Sequence, residues 1–172
     1  MVTIGVAVAI PEPWASELQN YRTSVGDAMA ATIPTHITLL PPTEVSEEEL
    51  DKIEAHLEDA AVDVPAFEVH LRGTGTFRPI SPVVFVTLAE GISQCEQLAH
   101  AVRRGPLCVD LAYPYHPHVT IAHDLAEAQL DQAFDELADF ECEFDVDDFH
   151  LYVHDDERGW TPTRYFPLQP GT

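Results

Sequence analysis

The stretch PTHITLLPP, residues 34–42, places a histidine and a threonine two positions apart in an apolar segment that two prolines close. This pattern predicts a short buried strand. Successive side chains of a strand point to opposite faces, so His36 and Thr38 share one face while Ile37 and Leu39 share the other. A proton carrier and a hydroxyl are therefore expected side by side on one face of a core strand.

The stretch has a counterpart later in the chain, HPHVTIAH. Aligning the two places His118 on His36 and Thr120 on Thr38, an offset of 82 residues. A shift by the same offset also places the first apolar strand within a residue or two of a second one. Aligning the histidines does not force this agreement between the strands. A repeated order of elements predicts a duplicated unit. The predicted strands are 3–10, 34–42, 66–77, 83–90, 115–123, 142–155 and 163–168, and the predicted helices are 13–30, 46–60, 91–104 and 124–139.

Local signals mark the ends of these elements. Ser46 and Glu49 match a capping box, and Asp124 is the predicted cap of the last helix. Glycine and proline punctuate residues 73–82, which are predicted to form the crossover between the halves.

The predicted fold class is α+β: a bilobal, duplicated unit with pseudo-twofold symmetry. Two mostly antiparallel sheets would line a central cleft, with helices outside. A length of 172 residues fits a single domain, made of two repeats at about 1–77 and 78–172. The pseudo-twofold would bring the two His-x-Thr strands together in the cleft.

The charge balance is strongly acidic, with 8 basic and 30 acidic residues and a formal net charge of −22. Such a surface repels polyanions, so no long nucleic acid is expected as a partner. The favoured explanation for the acid excess is solubility or a salt-rich habitat. Both His-x-Thr segments, 31–42 and 111–122, lack acidic and basic residues.

The N-terminal sequence MVTIGVAVAIPEPW has no basic segment before its apolar run, so it reads as a first strand and not as a signal peptide. No apolar run approaches the roughly 20 residues that a membrane helix needs. A cytoplasmic location without a membrane partner is the default expectation.

Cys95, Cys108 and Cys142 are odd in number, far apart and without a CxxC pair. Buried free thiols are expected in place of a disulfide framework or a zinc site. His116, His118 and His123 offer a conceivable metal cluster, but Pro117 disturbs the strand there and no carboxylate or thiolate lies close in sequence. We therefore expect neither a metal nor any other cofactor.

Two histidines that face one cleft can act as an opposed acid–base pair, because imidazole exchanges protons near neutral pH. One would accept a proton from the attacking water or hydroxyl, and the other would donate one to the leaving oxygen. Each neighbouring threonine can donate a hydrogen bond to a phosphoryl oxygen. Taken singly, His36 and His118 would more often be structural; the aligned pair favours function.

Two H-x-T motifs about 80 residues apart, HITL at 36–39 and HVTI at 118–121, resemble the two-histidine (2H) phosphoesterase superfamily. This superfamily includes 2′–5′ RNA ligase-like proteins and cyclic nucleotide phosphodiesterases. The resemblance covers essentially the whole chain and implies a bilobal fold. It also implies metal-independent hydrolysis of a 2′,3′-cyclic phosphate or a related cyclic or 2′–5′ phosphodiester. By motif position it implies that His36 and His118 are catalytic and that Thr38 and Thr120 bind phosphate.

Other residues could contact the substrate. Tyr115 could stack on a base or pack against the cleft wall, and Phe77 has the same two interpretations. Arg78 and Arg158 could offset the acidic surface near a phosphate or belong to ion pairs. The expected partner is a small nucleotide or an RNA end, and the expected state is a monomer.

Two rival functions use the same cleft. A noncatalytic module could bind nucleotides or RNA ends without turnover. An RNA 2′–5′ ligase could run the reaction in the joining direction with the same residues.

Overall fold

The computed structural model describes residues 1–170 as alternating strands and helices. Three short 3₁₀ helices, at Ala28–Ala31, Glu47–Glu49 and Gly105–Leu107, join them. In chain order the elements are β1 (Val2–Ala9), α1 (Trp14–Ser24), β2 (His36–Val45), α2 (Leu50–Asp63), β3 (Phe67–Thr76), β4 (Val83–Glu90), α3 (Ile92–Val102), β5 (His118–His123), α4 (Glu127–Glu136), β6 (Glu141–Val146), β7 (Asp148–Asp155) and β8 (Gly159–Pro167).

The strands form two four-stranded antiparallel sheets. The first has the order β2-β1-β7-β8 and the second the order β5-β4-β3-β6. The two strands that carry the His-x-Thr motifs, β2 and β5, are thus edge strands, and they contact each other across the sheets. The predicted fold class is confirmed.

The two halves of the chain exchange their closing strands. β3 belongs to the first half but pairs with β4 in the second sheet, whereas β7 and β8 complete the first sheet. The predicted crossover at 73–82 includes the turn of the β3–β4 hairpin, so it joins two strands of the same sheet. The exchange is unequal: the first half contributes one strand to the second sheet, and the second half contributes two strands to the first sheet. The division into repeats near residue 77 stays a prediction.

Each of the four helices has buried residues. On α2 the buried side chains include Ile53 and Leu57, which recur at helical spacing.

Two helix caps differ from the prediction. The Ser46 hydroxyl caps the 3₁₀ helix before α2 and not α2 itself. The cap at Asp124 is wrong, because this residue takes a left-handed backbone (φ 56°) and α4 begins after Ala126.

The three cysteines are free, as predicted, but only Cys95 and Cys142 are buried. Cys108 is exposed, because it follows the 3₁₀ helix Gly105–Leu107 in a surface connection. Within residues 1–170 no helix has the length and apolar character needed to cross a membrane.

Candidate active site

The two motif strands alternate as strand periodicity predicts. Ile37 and Leu39 are fully buried on β2, and His36 and Thr38, which alternate with them, are partly exposed. The same alternation holds on β5, where Val119 is buried between His118 and Thr120. The buried side chains anchor each strand in the core and leave the polar pair on the open face.

The neighbouring strands present residues of different size to the two motifs. On β1, Ala9 is paired with His36 and Ala7 with Thr38. On β4, Thr87 is paired with His118 and Phe85 with Thr120. The first motif therefore lies beside small side chains, and the second lies beside an aromatic ring.

The imidazole of His36 is fixed at both nitrogens. Nδ1 lies 2.7 Å from the carbonyl oxygen of Pro34, and Nε2 lies 3.1 Å from Oγ1 of Thr38. A carbonyl oxygen can only accept, so Nδ1 carries a proton. In the neutral ring Nε2 then accepts a hydrogen bond from the Thr38 hydroxyl.

The imidazole of His118 is fixed differently. Its Nδ1 donates to the carbonyl oxygen of His116 at 2.7 Å, which again leaves Nε2 as the free basic nitrogen. The ring stands edge-on to Phe77, with centroids 4.9 Å apart, and tilted against Phe85 at 5.1 Å. Gly75 on β3 makes room for Phe85, because a Cβ there would lie 2.7 Å from the ring.

Both imidazoles are more acidic than free histidine. Burial lowers the pKa of His118 to about 4; the hydrogen bond to the His116 carbonyl opposes this shift, and the nearby His116 and His36 rings add to it. Burial also lowers the pKa of His36, against the hydrogen bond to Pro34, and the positive charge of Arg22 acts in the same direction as burial. Both rings are therefore neutral in the free protein at pH 7. His36 is close enough to His118 for charge on one ring to affect the pKa of the other.

A hydrogen bond ties the two motif segments together. The hydroxyl of Tyr115 donates to the carbonyl oxygen of Thr38 at 2.7 Å. The ring packs partly buried against the core, and the Arg103 guanidinium lies 5.4 Å from its centroid. Of the two interpretations of Tyr115, the geometry favours packing against the cleft wall.

A cavity opens beside His36. A narrow part is lined by His36, Thr38 and small residues of β1, and an adjacent wider part of about 500 Å³ shares some of its lining residues. Trp160 and Tyr152 line both parts. The backbone N–H of Trp160 donates to the carbonyl oxygen of Thr32 at 2.8 Å, which fixes the backbone of this lining residue.

The other predicted substrate contacts lie in three different places. Phe77 contacts His118 directly, so it shapes the site. Arg78 donates to Glu127 and Asp131 of α4 at 3.1 and 2.8 Å, which is the ion-pair alternative for this residue. Arg158 is exposed on the wall of the wide cavity.

The structure adds residues that the sequence did not indicate: Tyr152, Phe85 and Arg22. Tyr152 and Phe85 reach the site through strand pairing between distant segments, which leaves no local signal. A signal existed for Arg22, which lies four residues after the buried Leu18 on the inner face of α1. In residues 1–170 no group of three or more histidine, cysteine or acidic side chains is close enough to hold a metal ion, and that includes His116, His118 and His123.

One His-x-Thr motif lies on an edge strand of each of the two antiparallel sheets. The family model described as the 2′-5′ RNA ligase superfamily matches residues 10–158. The chain therefore belongs to the 2′-5′ RNA ligase superfamily.

Individual relatives agree with this assignment. A Bacillus cytotoxicus protein named "Putative phosphoesterase" is 30% identical over 148 residues, which cover 85% of this chain and 86% of the relative. Among solved structures, Escherichia coli LigT complexed with 3′-AMP superposes with a TM-score of 0.74 at 22% identity, covering 97% of this chain and 98% of LigT. TT0787 of Thermus thermophilus superposes with a TM-score of 0.68 at 26% identity over the full length of both chains.

Proposed function

We propose that the chain is a metal-independent phosphodiesterase that hydrolyses a 2′,3′-cyclic phosphate, or a related cyclic or 2′–5′ phosphodiester, at a nucleotide or RNA end. The observation that carries the proposal is the pair of imidazoles whose Nδ1 atoms both donate to backbone carbonyls. Each ring thereby keeps Nε2 for proton transfer, and an in-line displacement at phosphorus needs one such group on each side. The scheme needs no metal.

The cavity supports a division of roles between the histidines. Opening of a cyclic phosphate leaves the departing oxygen on the ribose, so the acid must lie on the nucleoside side. The space for a nucleoside adjoins His36, where Trp160 offers a ring for a base to stack on. In the proposed reaction His36 donates a proton to the leaving oxygen.

His118 is then the base. Its pKa of about 4 keeps Nε2 unprotonated at neutral pH, and Phe77 and Phe85 fill the space around it. A water molecule is small enough for this side of the site, whereas the 5′ end of a second RNA strand would meet the aromatic rings. The crowding favours hydrolysis over ligation.

Thr38 and Thr120 are the proposed phosphate ligands. A bound phosphoryl anion between the imidazoles stabilises their protonated forms, because opposite charges attract strongly at short range. This shift would let His36 hold a proton in the complex although its pKa is lowered in the free protein. The threonine hydroxyls would donate to the nonbridging oxygens.

The test is an assay of wild type, His36→Ala and His118→Ala on 2′,3′-cyclic AMP with EDTA present. A matched control is His100→Ala, an exposed histidine of α3. We expect nucleoside monophosphate from wild type and the control, and a rate lower by about 10²-fold or more from the two site variants. Loss of activity in EDTA would contradict the metal-independent scheme.

The same samples separate the rival functions. Binding of the cyclic nucleotide without product would indicate a noncatalytic module. Joining of RNA ends in preference to hydrolysis would indicate a ligase and would contradict the role given to Phe77 and Phe85.

A further inference from the structure

Buried polar residues are concentrated in one place. In the described part of the chain, the polar or charged residues that are buried are Arg22, Asp27 and Thr35, at 5%, 4% and 6% exposure. All three precede His36 by 14 residues or fewer. Burying a charge is costly unless it is paired and hydrogen-bonded, so a cluster of this kind indicates a specific task.

Arg22 and Asp27 form a closed ion pair. Nε of Arg22 donates to Oδ2 of Asp27 at 2.6 Å, and the other carboxylate oxygen accepts from the backbone N–H of Met29 at 2.9 Å. Asp27 thereby caps the 3₁₀ helix Ala28–Ala31. The pair joins α1 to the segment that leads into β2.

Gln19 and Thr35 connect α1 to the residues directly before His36. The Gln19 side-chain amide donates to the carbonyl oxygens of Ala30 and Ile33, the latter at 3.1 Å. The Thr35 hydroxyl lies 3.0 Å from both the Ala15 carbonyl oxygen and Oε1 of Gln19. Helix α1 therefore holds both residues that flank Pro34, whose carbonyl fixes Nδ1 of His36.

The second motif has no counterpart to this cluster. In the described chain the segment before His118 contains no buried charged residue, and Nδ1 of His118 is fixed by the His116 carbonyl. A purely structural requirement of a duplicated fold would be expected in both halves.

We propose that the Arg22–Asp27 pair and Gln19 are positioning residues for His36, holding the Pro34 carbonyl so that Nε2 faces the phosphoryl group of the substrate. The inference rests on the proposed function of His36 and extends it to residues outside the motif. Arg22 also acts on His36 by charge, since its guanidinium lowers the pKa of the imidazole. Two further titratable groups lie near His36: His118 on β5 interacts with it by charge, and Tyr152 on β7 lines the same cavity.

The test compares Arg22→Gln, Arg22→Lys and Asp27→Asn with a matched control, Arg164→Gln. Arg164 is also ion-paired, with Glu54 and Glu58, but on the α2 side of β8. Two readouts are taken on the full chain. Nuclear magnetic resonance of the free protein gives the tautomer and pKa of His36, with His118 as an internal reference, and steady-state kinetics on 2′,3′-cyclic AMP gives kcat and KM.

Opposite shifts are expected from the two partners of the pair. Arg22→Gln removes a positive charge and raises the pKa of His36, whereas Asp27→Asn leaves Arg22 uncompensated and lowers it. For Arg22→Gln kcat falls about 10- to 100-fold with KM little changed, because misplacement of a catalytic group acts mainly on the chemical step. Arg22→Lys restores most of the pKa and part of kcat. Arg164→Gln leaves both readouts unchanged.

Two results would overturn the inference. One is a folded Arg22→Gln protein whose His36 tautomer, pKa and kcat match those of Arg164→Gln. The other is a shift of the His36 pKa in the same direction in Arg22→Gln and Asp27→Asn, as general loosening would give. If Arg22→Gln does not fold, Arg22→Lys and Asp27→Asn carry the same comparison. An inactive wild type with the expected resonance shifts would instead count against the proposed function alone.

Discussion

The two His-x-Thr strands have the same local geometry and different surroundings. His36 on β2 faces Ala9 and an open cavity, and its Nε2 shares a hydrogen bond with Thr38. His118 on β5 lies against Phe77 and Phe85, in a space that aromatic rings fill. The two motifs of the duplicated unit thus share their histidine and threonine and differ in what surrounds them. In the proposed reaction the two imidazoles transfer the protons, while the flanking strands decide which side accepts the larger group.

Removal of either imidazole has the largest expected effect. His36→Ala and His118→Ala should each lower kcat by about 10²- to 10⁴-fold, because general acid–base catalysis contributes on that scale. The double variant should lose little more than either single one, since the two act as a unit. Steady-state kinetics with EDTA present measures all three. Additive losses would show that the histidines do not act in one step.

Loss of the threonine hydroxyls should have the next largest effect. Thr38→Val and Thr120→Val keep the shape and remove the donor, and each should lower kcat about 100-fold if the hydroxyl stabilises the charged phosphoryl group. Thr38→Val should also change the resonance of His36 Nε2, which loses a hydrogen-bond donor. If kcat is unaltered in Thr120→Val, Thr120 is not a phosphate ligand.

A larger side chain in the cavity beside His36 tests whether the nucleoside binds there. Ala9→Phe places a ring beside His36, in the space proposed for the nucleoside. KM for 2′,3′-cyclic AMP should rise about 10-fold, since loss of pocket complementarity is worth about that much. Glycerol 1,2-cyclic phosphate, which has no base, serves as the matched substrate, and its KM should stay the same. Equal changes for both substrates would show that the nucleoside does not bind there.

Loss of an aromatic ring beside His118 should give the smallest effect, a shift in the pH dependence of kcat/KM. Phe77→Leu admits water to His118, so its pKa rises from about 4 toward the ordinary value. The base is active only when unprotonated, so the acidic limb of kcat/KM should move to higher pH, by about one unit. Phe140→Leu, a partly buried aromatic residue between α4 and β6, is the control. If the acidic limb moves in neither variant, the pKa of His118 does not determine it.

Much of the fold could be predicted because the signals are local. Alternation places His36 and Thr38 on one face, and it needs only the period of a strand. Matching the two motifs then predicts the duplication. The exchange of β3 and β7 between sheets depends on pairing between distant segments, which no local pattern encodes.

The site was predictable to the same degree. The motif residues follow from sequence alone, whereas the cavity beside His36 and the rings around His118 depend on the register of β1 and β4. The ion pairs of Arg78 depend on where α4 packs. The burial of Arg22 could have been predicted, because an arginine on the inner face of a helix is an exception to the apolar pattern.

The most direct test is a resonance titration of both imidazoles with adenosine 2′-monophosphate, the product that ring opening would leave if the 3′ oxygen departs. One phosphoryl group bound between His36 and His118 should raise the pKa of both, with a single dissociation constant. His36 should in addition sense the base through the cavity that it adjoins. A titration in which only one imidazole responds, or in which the two respond with different dissociation constants, would contradict a shared two-histidine site.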